Sequence, residues 1–319
     1  MDHELSIPHR PVMLETLLEW LVPVLGAPAI LLDGTLGGGG HTRAFLQACP
    51  RTLRVIALDR DPACIAAAQE WGRAWGSCFV AVNGDFREMT MHLTRLHTLQ
   101  VDAILLDLGV SSYQLDTAER GFSFMHDGPL DMRMDTTQPV TAYQLVNESA
   151  ASDLQTLLRQ FGEERWARRI ARAIVSERQQ QPIARTRTLA DLVARTIPRA
   201  AWPSHIHPAT RTFQALRIAV NGELDALQAA LPQAVGALRP GGRLAVLAFH
   251  SLEDRIVKRF FQQEAKGCIC PPKFPQCVCG RQPTLNILTR KPVGPTASEM
   301  QDNPRSRSAR LRVGMKLEV

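Results

Sequence analysis

The feature that most constrains this chain is a series of short apolar runs, each closed by turn residues and separated from the next by a helical stretch. Ala29–Asp33, Leu53–Asp59, residues 79–82 and Val101–Asp107 are such runs. Strands that are apolar on both faces belong to a parallel sheet covered by helices, and the alternation is that of βαβ units. The pattern returns at residues 241–250, followed by a helix over 253–263. Two late strands, near 286–291 and 309–317, are expected to close the sheet as an antiparallel pair, with a helix around 12–20 packed on it.

Between 116 and 214 the periodicity is helical and no convincing strand occurs. Within 163–180, Trp166, Ile170 and Ile174 fall on one face and Arg165, Arg169 and Arg172 on another, giving an amphipathic helix with a basic stripe. Glu163 and Glu164 are expected in its first turn, where the helix dipole favours acids. The expected fold class is therefore α/β, a Rossmann-like sheet interrupted by an all-helical insertion. Residues 1–115 and 215–319 would form one discontinuous domain and 116–214 the insertion, in line with the roughly two domains that 319 residues suggest.

The strongest local motif is Asp33-Gly-Thr-Leu-Gly-Gly-Gly-Gly-His41, placed after a strand and before a helix over 42–49. Glycines there allow a tight turn and close approach of backbone to a ligand, and ligands of doubly wound sheets bind at the carboxyl ends of strands. The next strand ends in Asp59, 22 residues after Gly37, where an acid typically accepts from a ribose diol. Together they indicate a nucleoside-containing cofactor. A nicotinamide fingerprint sets a helix N-terminus against a pyrophosphate. Here an acid leads four consecutive glycines, which suits a cationic amino-acid or sulfonium ligand better. The third strand leads to Phe86, which either stacks on adenine or packs in the core. The fourth ends in Asp107-Leu-Gly-Val-Ser-Ser112, where the acceptor is expected, unless Ser111 or Ser112 serves only as a helix N-cap.

Charge points to the partner. The chain carries a net +6, and only five of its 37 basic residues are Lys. Arg pairs with phosphate in bidentate fashion and stacks on bases. From Arg159 to Arg217, 12 Arg face four acids, which suggests a nucleic-acid grip unless the helices merely present solvated, internally paired faces. A second cluster comprises Arg305, Arg307, Arg310 and Arg312. No apolar run reaches the about 18 residues needed to span a bilayer, and seven Cys, an odd number with Cys49, Cys64 and Cys78 scattered, suit a reducing cytosol. Four Cys, at 268, 270, 277 and 279, lie within 12 residues. They either hold a tetrahedral zinc ion or line a Pro-rich loop as reduced thiols. Their C-x-C spacing is tighter than the usual zinc pattern, and no metal is assigned. A nicotinamide oxidoreductase is disfavoured by the acid-led loop and the basic insertion. A non-catalytic RNA-binding or assembly factor would need neither that loop nor Asp59 and Asp107.

Several blocks closely resemble the bacterial 16S ribosomal RNA cytosine-N4-methyltransferase (RsmH/MraW) family. They are the Gly-rich block already quoted, Leu106-Asp-Leu-Gly-Val-Ser-Ser112, Glu119-Arg-Gly-Phe-Ser-Phe124, Asp127-Gly-Pro-Leu-Asp-Met-Arg-Met-Asp135, Gly162-Glu-Glu-Arg165, His207-Pro-Ala-Thr-Arg-Thr-Phe-Gln214, Phe249-His-Ser-Leu-Glu-Asp-Arg255 and Asn303-Pro-Arg-Ser-Arg307. The resemblance runs from about residue 8 to 315, with Tyr113 departing from the family pattern. It implies a class I methyltransferase sheet with a helical RNA-recognition insertion, S-adenosylmethionine as cofactor, and methylation of the exocyclic N4 of one cytidine in the decoding region of 16S rRNA, within the cytoplasmic small ribosomal subunit or a late precursor. Gly39, Gly40 and His41 would line the cofactor, Asp59 hold its ribose, Phe86 border adenine, and Asp107 and Gln114 complete the pocket. Many amino-methyltransferases carry Asp/Asn-Pro-Pro-aromatic after the fourth strand; this chain reads Asp107-Leu-Gly-Val110. Asp107 is the first candidate for a catalytic role, ahead of Ser111, Ser112 and His250.

Overall fold

The computed structural model describes residues 11–26, 28–49, 53–271, 276 and 278–318, so Cys277 lies outside the described residues. The chain forms two compact units, Met1–Gly109 with Leu224–Val319, and Val110–Glu223. The apolar runs become β1 (Ala29–Asp33), β2 (Leu53–Asp59), β3 (Phe79–Asn83), β4 (Val101–Asp107) and β5 (Leu238–Ala248), followed by β6 (Leu285–Ile287) and β7 (Arg310–Lys316). Helices α1 (Leu14–Leu21), α2 (Gly40–Ala48), α3 (Pro62–Gly72) and α4 (Met89–Arg95) accompany the first strands. The second unit carries α5 (Ser112–Asp116), α6 (Ala142–Glu148), α7 (Ala151–Gly162), α8 (Ala167–Arg178), α9 (Thr186–Thr196) and α10 (Thr210–Asn221). Then come α11 (Glu223–Ala237), α12 (Ser251–Lys266) and α13 (Ala297–Asp302). No helix among the described residues is long and apolar enough to cross a membrane.

The first unit is a seven-stranded sheet in the order β3-β2-β1-β4-β5-β7-β6. β1 to β5 run parallel, and β7 is antiparallel to both β5 and β6. The two late strands pair as expected, with β7 lodged against β5. Strand periodicity of two sorts the core. Leu31, Val55, Ala57, Leu105 and Leu247 join Leu17, Phe45 and Ile65 of α1, α2 and α3. Leu32, Ile56, Leu58, Leu106 and Val246 join Met89 of α4, Leu231 of α11 and Phe261 of α12. Both faces are thus covered, which is why these strands contain almost no polar residue until their carboxyl ends.

β7 corrects an expectation about charge. Leu311 and Val313 enter one core, so Arg310 and Arg312 share the opposite face, which α12 covers. Arg312 is buried and bidentate to Asp254, with Nε and Nη2 donating to the carboxylate at 2.7 and 3.1 Å, and Arg310 lies 3.4 Å from the same group. Burial alone would raise the Asp254 carboxyl; the two guanidinium groups outweigh it and hold the group below the usual range. Arg312 fastens α12 to the sheet and is buried away from any phosphate, whereas the Arg310 side chain is half exposed.

In the second unit no strand is formed among the described residues beyond an isolated bridge between Pro129 and Arg185. Leu154 and Leu158 of α7, Ile170 and Ile174 of α8, Leu189 and Val193 of α9, and Phe213 and Leu216 of α10 make its core. The unit exceeds the expected 116–214 segment at both ends. Val110 and Leu115 pack on its core. α10 continues to Asn221, whose amide donates to Met132 O at 2.7 Å and accepts from Met134 N at 2.8 Å. Glu163 and Glu164 do not open α8. Glu163 caps α7 in a left-handed conformation (φ 47°), and the buried Glu164 accepts from Trp166 N at 2.8 Å. Gly162, the last residue of α7, lets α10 approach closely, since a Cβ there would stand 2.7 Å from Arg211 O.

Removing one partner of a buried ion pair leaves the other charge uncompensated, at about 3–5 kcal/mol. Asp254→Ala is expected to lower the unfolding free energy by that order in urea titrations. Because the folded-state Asp254 pKa is depressed, this stabilisation is present above the unfolded carboxylate value and is lost as pH falls through the folded one. The wild-type chain should therefore lose acid stability that the variant never had.

Candidate cofactor and active site

The carboxyl ends of β1, β2 and β4 meet around one acid. Asp33 is 1% exposed. Its Oδ1 accepts from Thr35 N at 3.0 Å and its Oδ2 from Thr42 Oγ1 at 2.7 Å. Thr35 Oγ1 in turn accepts from Asp107 N at 2.6 Å. Burial raises the Asp33 carboxyl, and the Thr42 and Thr35 hydrogen bonds oppose the rise. An acid leading the Gly-rich turn suggested a group open to a cationic ligand; in the fold that acid is spent on tying the turn to α2 and β4.

The turn itself is shaped by three neighbours. Gly37 N donates to Asp59 Oδ2 at 2.7 Å, and Asp61 N donates to Asp59 Oδ1 at 2.8 Å. Asp59 is half-buried at the end of β2, and burial pushes its carboxyl up to about 6 despite those two donors. Gly39 has φ +76°, and a Cβ there would lie 2.4 Å from Cζ2 of Trp71, itself stacked on Phe79 and covered by Arg43. A Cβ at Gly40 would meet Pro11 at 2.5 Å, whereas one at Gly38 would meet nothing within 4 Å. The glycines at 39 and 40 thus answer to packing against protein, and the open flank of the turn is at Gly38.

His41 and Asp107 form the polar floor. His41 Nε2 lies 2.9 Å from Val12 O and Nδ1 lies 3.4 Å from Asp107 Oδ2. A neutral imidazole donates from one nitrogen only, so two facing acceptors favour the protonated ring. Burial would lower the His41 pKa, and the Asp107 carboxylate outweighs it and raises the value. Asp107 Oδ1 is buried without a hydrogen-bond partner. Such an atom costs stability unless something fills the gap. Phe86 follows Asp85, whose carboxylate caps the short turn by accepting from Arg87 N at 2.9 Å. The Phe86 ring is half-buried against the α4/α11 core, and its Cβ would lie 3.2 Å from a Cβ placed on Gly34.

Gly39, Gly40, His41, Asp59, Phe86 and Asp107 all belong to the sheet unit, whereas Gln114 belongs to the helical one. Gln114 is buried and works in a capping box: its Oε1 accepts from Ser111 N at 3.1 Å and its N donates to Ser111 Oγ at 3.2 Å. Ser111 is therefore a helix N-cap. His250 likewise caps α12, with Nδ1 3.4 Å from Glu253 N. Thr35 and Thr42 were missed in the sequence, where nothing separates a hydroxyl that ties a turn from one that faces solvent.

A parallel sheet ordered 3-2-1-4-5 and completed by an antiparallel β7, with a Gly-rich turn after β1 and acids ending β2 and β4, defines a class I, Rossmann-like methyltransferase. The chain belongs to the MraW methylase family, whose model matches residues 6–317. Its methyl donor is S-adenosylmethionine. It is 53% identical over 98% of its length to the whole of a protein of Geobacter sulfurreducens named ribosomal RNA small subunit methyltransferase H. Proteins of the same name from Heliobacterium modesticaldum and Thermomicrobium roseum are 51% and 50% identical, covering 97% and 99% of this chain and 98% and 96% of theirs.

Gly39→Ala puts a side chain where φ is positive and Trp71 already sits, and is expected to destabilise the sheet unit by about 1–3 kcal/mol in denaturant titrations. Gly38→Ala, with open space around it, should cost less in the same assay.

Proposed function

We propose that this chain is a cytoplasmic enzyme that methylates the exocyclic N4 of a cytidine in the decoding region of 16S ribosomal RNA, within the small ribosomal subunit. The relatives' shared name supports small-subunit rRNA as substrate, and the motif blocks set out above support the N4 position. The observation that carries the reading is the Asp107 carboxylate at the end of β4, a quarter exposed and with Oδ1 engaged by no hydrogen bond within the chain.

The residues suit the cofactor. In this reading Asp59 would accept from the ribose diol, the Gly-rich turn with Gly39, Gly40 and His41 would lie along the amino-acid moiety, and Phe86 would border adenine. The bound sulfonium supplies a methyl group already activated for transfer. The N4 lone pair of cytosine is delocalised into its ring, so the chain's task is to hold nitrogen, methyl and sulfur in line at about 3–3.5 Å. Asp107 would accept a hydrogen bond from the amine, localise its lone pair, and take up the proton that the amine gives up on methylation. His41 Nδ1, 3.4 Å from Oδ2, helps orient that carboxylate.

RNA is gripped by the helical unit. Of the arginines between 159 and 217, Arg178, Arg185, Arg195, Arg211 and Arg217 are engaged within the unit. Arg165, Arg168, Arg169 and Arg172 of the α8 region are exposed, beside a groove of about 570 Å³ lined by Gln155, Arg159, Arg165 and Arg168 together with two acids, Glu163 and Glu164. Such a face suits phosphates. The cytosine must leave its stack to reach Asp107.

Transfer of labelled methyl to small subunits lacking the modification, read by nucleoside mass spectrometry, should yield N4-methylcytidine at one site. Methyl on another base or atom would overturn the reading. Asp107→Asn should reduce turnover at saturating cofactor by about 10²-fold or more, and near-normal turnover would remove its proposed catalytic role.

Cofactor affinity should depend on pH through Asp59. Ribose hydroxyls donate to the ionised carboxylate, so affinity should weaken by up to about tenfold per unit below pH ~6, with proton release on binding. Conversely, the raised value stabilises the unliganded fold below the unfolded carboxylate pKa, and that contribution vanishes as pH rises through about 6. Calorimetric titrations on either side of that pH check the slope, and Asp59→Asn should flatten it.

A further inference from the structure

The segment between α12 and β6 has a fastened base, and beyond it none of the described residues is buried. Gly267 N donates to Gln263 O at 2.9 Å, and a Cβ on Gly267 would stand 2.5 Å from Pro283 N, so the returning chain passes directly against the end of α12. Glu264 clamps the two strands of this stem. Its carboxylate accepts from Arg281 Nη2 at 3.0 and 3.1 Å and from Thr284 Oγ1 at 2.6 Å, and its carbonyl accepts from Thr284 N at 3.0 Å. Beyond the stem, none of the described residues from 268 to 282 is buried; Ile269 is 56% exposed and Val278 73%. Loops of this length without secondary structure usually have a function of their own, and apolar packing does not order this one.

What the loop gathers instead is sulfur. One Sγ from each of Cys268, Cys270 and Cys279 lies within 4.8 Å of the other two, although Cys279 is nine residues beyond Cys270. Gly280, with φ +62°, makes the turn that follows Cys279. Thiols are weak hydrogen-bond donors and acceptors, so clustering gains little in the neutral state, and three thiolates together repel. A bound cation reverses that balance, since it deprotonates its thiol ligands outright. Zinc–sulfur bonds of about 2.3 Å in a tetrahedron place sulfurs roughly 3.8 Å apart, within reach of the observed cluster by small side-chain adjustments. A soft, all-sulfur donor set selects zinc over magnesium or calcium.

We propose that Cys268, Cys270 and Cys279 form a thiolate zinc site in this loop. Each thiol surrenders a proton as its Zn–S bond forms, with no change in oxidation state. The site is separate from Asp59 and Asp107, and its role is to order the chain between α12 and β6.

The test uses the full chain, untagged, purified under a phosphine reductant without chelator. Metal analysis should give about one zinc per chain. Cobalt(II) added to stripped protein should give the intense thiolate-to-metal and d–d absorption of a tetrahedral sulfur site. Cys268→Ser and Cys279→Ser should each abolish that spectrum. Stripping should open residues 267–284 to proteolysis, and zinc should restore protection. Wild-type protein with less than roughly a tenth of an equivalent of zinc and no tetrahedral cobalt spectrum would overturn the proposal. So would serine variants that fold and keep the full metal content. If a variant fails to fold, the cobalt spectrum of the wild-type chain decides by itself.

Discussion

The buried carboxylate of Asp33 is the interaction on which the rest of the site depends. It sits where β1 ends and the chain must turn sharply towards α2. By accepting from Thr35 and Thr42 it fixes both sides of that turn, and through Thr35 Oγ1 it reaches the backbone of Asp107 at the end of β4. Taking a carboxylate out of water is costly, which is why its pKa rises. The surrounding donors offset part of that cost, and they do so only in the folded geometry. A second acid, Asp59, holds the turn from the β2 side through Gly37 N. Two strand-end carboxylates therefore position a loop whose own residues have little side chain with which to pack.

This arrangement leaves one acid different from the others. Asp33 and Asp59 have both oxygens engaged by groups of the chain, whereas Asp107 has one oxygen beside His41 and the other unpartnered. The proposed contact with an external amine would account for that asymmetry. The contrast separates acids that build the site from the one proposed to act in it.

Much of this was legible in the sequence for a simple reason. Strands buried on both faces must be apolar, so β1 to β4 could be located almost to the residue, and the Gly-rich turn with Asp59 marked where a nucleoside would bind. The motif blocks then carried the chain to its family. Charge was less legible. Arg310 and Arg312 looked like a phosphate cluster because a strand places them on one face, but which face α12 covers, and that Asp254 waits there, depends on packing across more than fifty residues of chain. Likewise Glu163 and Glu164 fitted a helix start by the dipole argument, while the chain turns left-handed at Glu163 to end α7 and begins α8 only at Ala167.

By itself the sequence determined the parallel sheet, the interruption by helices, the Gly-rich turn and the family, because each rests on local periodicity or on short-range spacing. Tertiary structure alone decided what individual polar groups do. It turned Asp33 inward, made Ser111 and Gln114 a helix cap, paired Arg312 with Asp254, left Asp107 Oδ1 without a hydrogen bond, and drew three cysteines of one loop together. The physical reason is that a polar side chain's role is set by whichever partner is within about 3 Å once the chain is packed, and residues distant in sequence supply many of those partners.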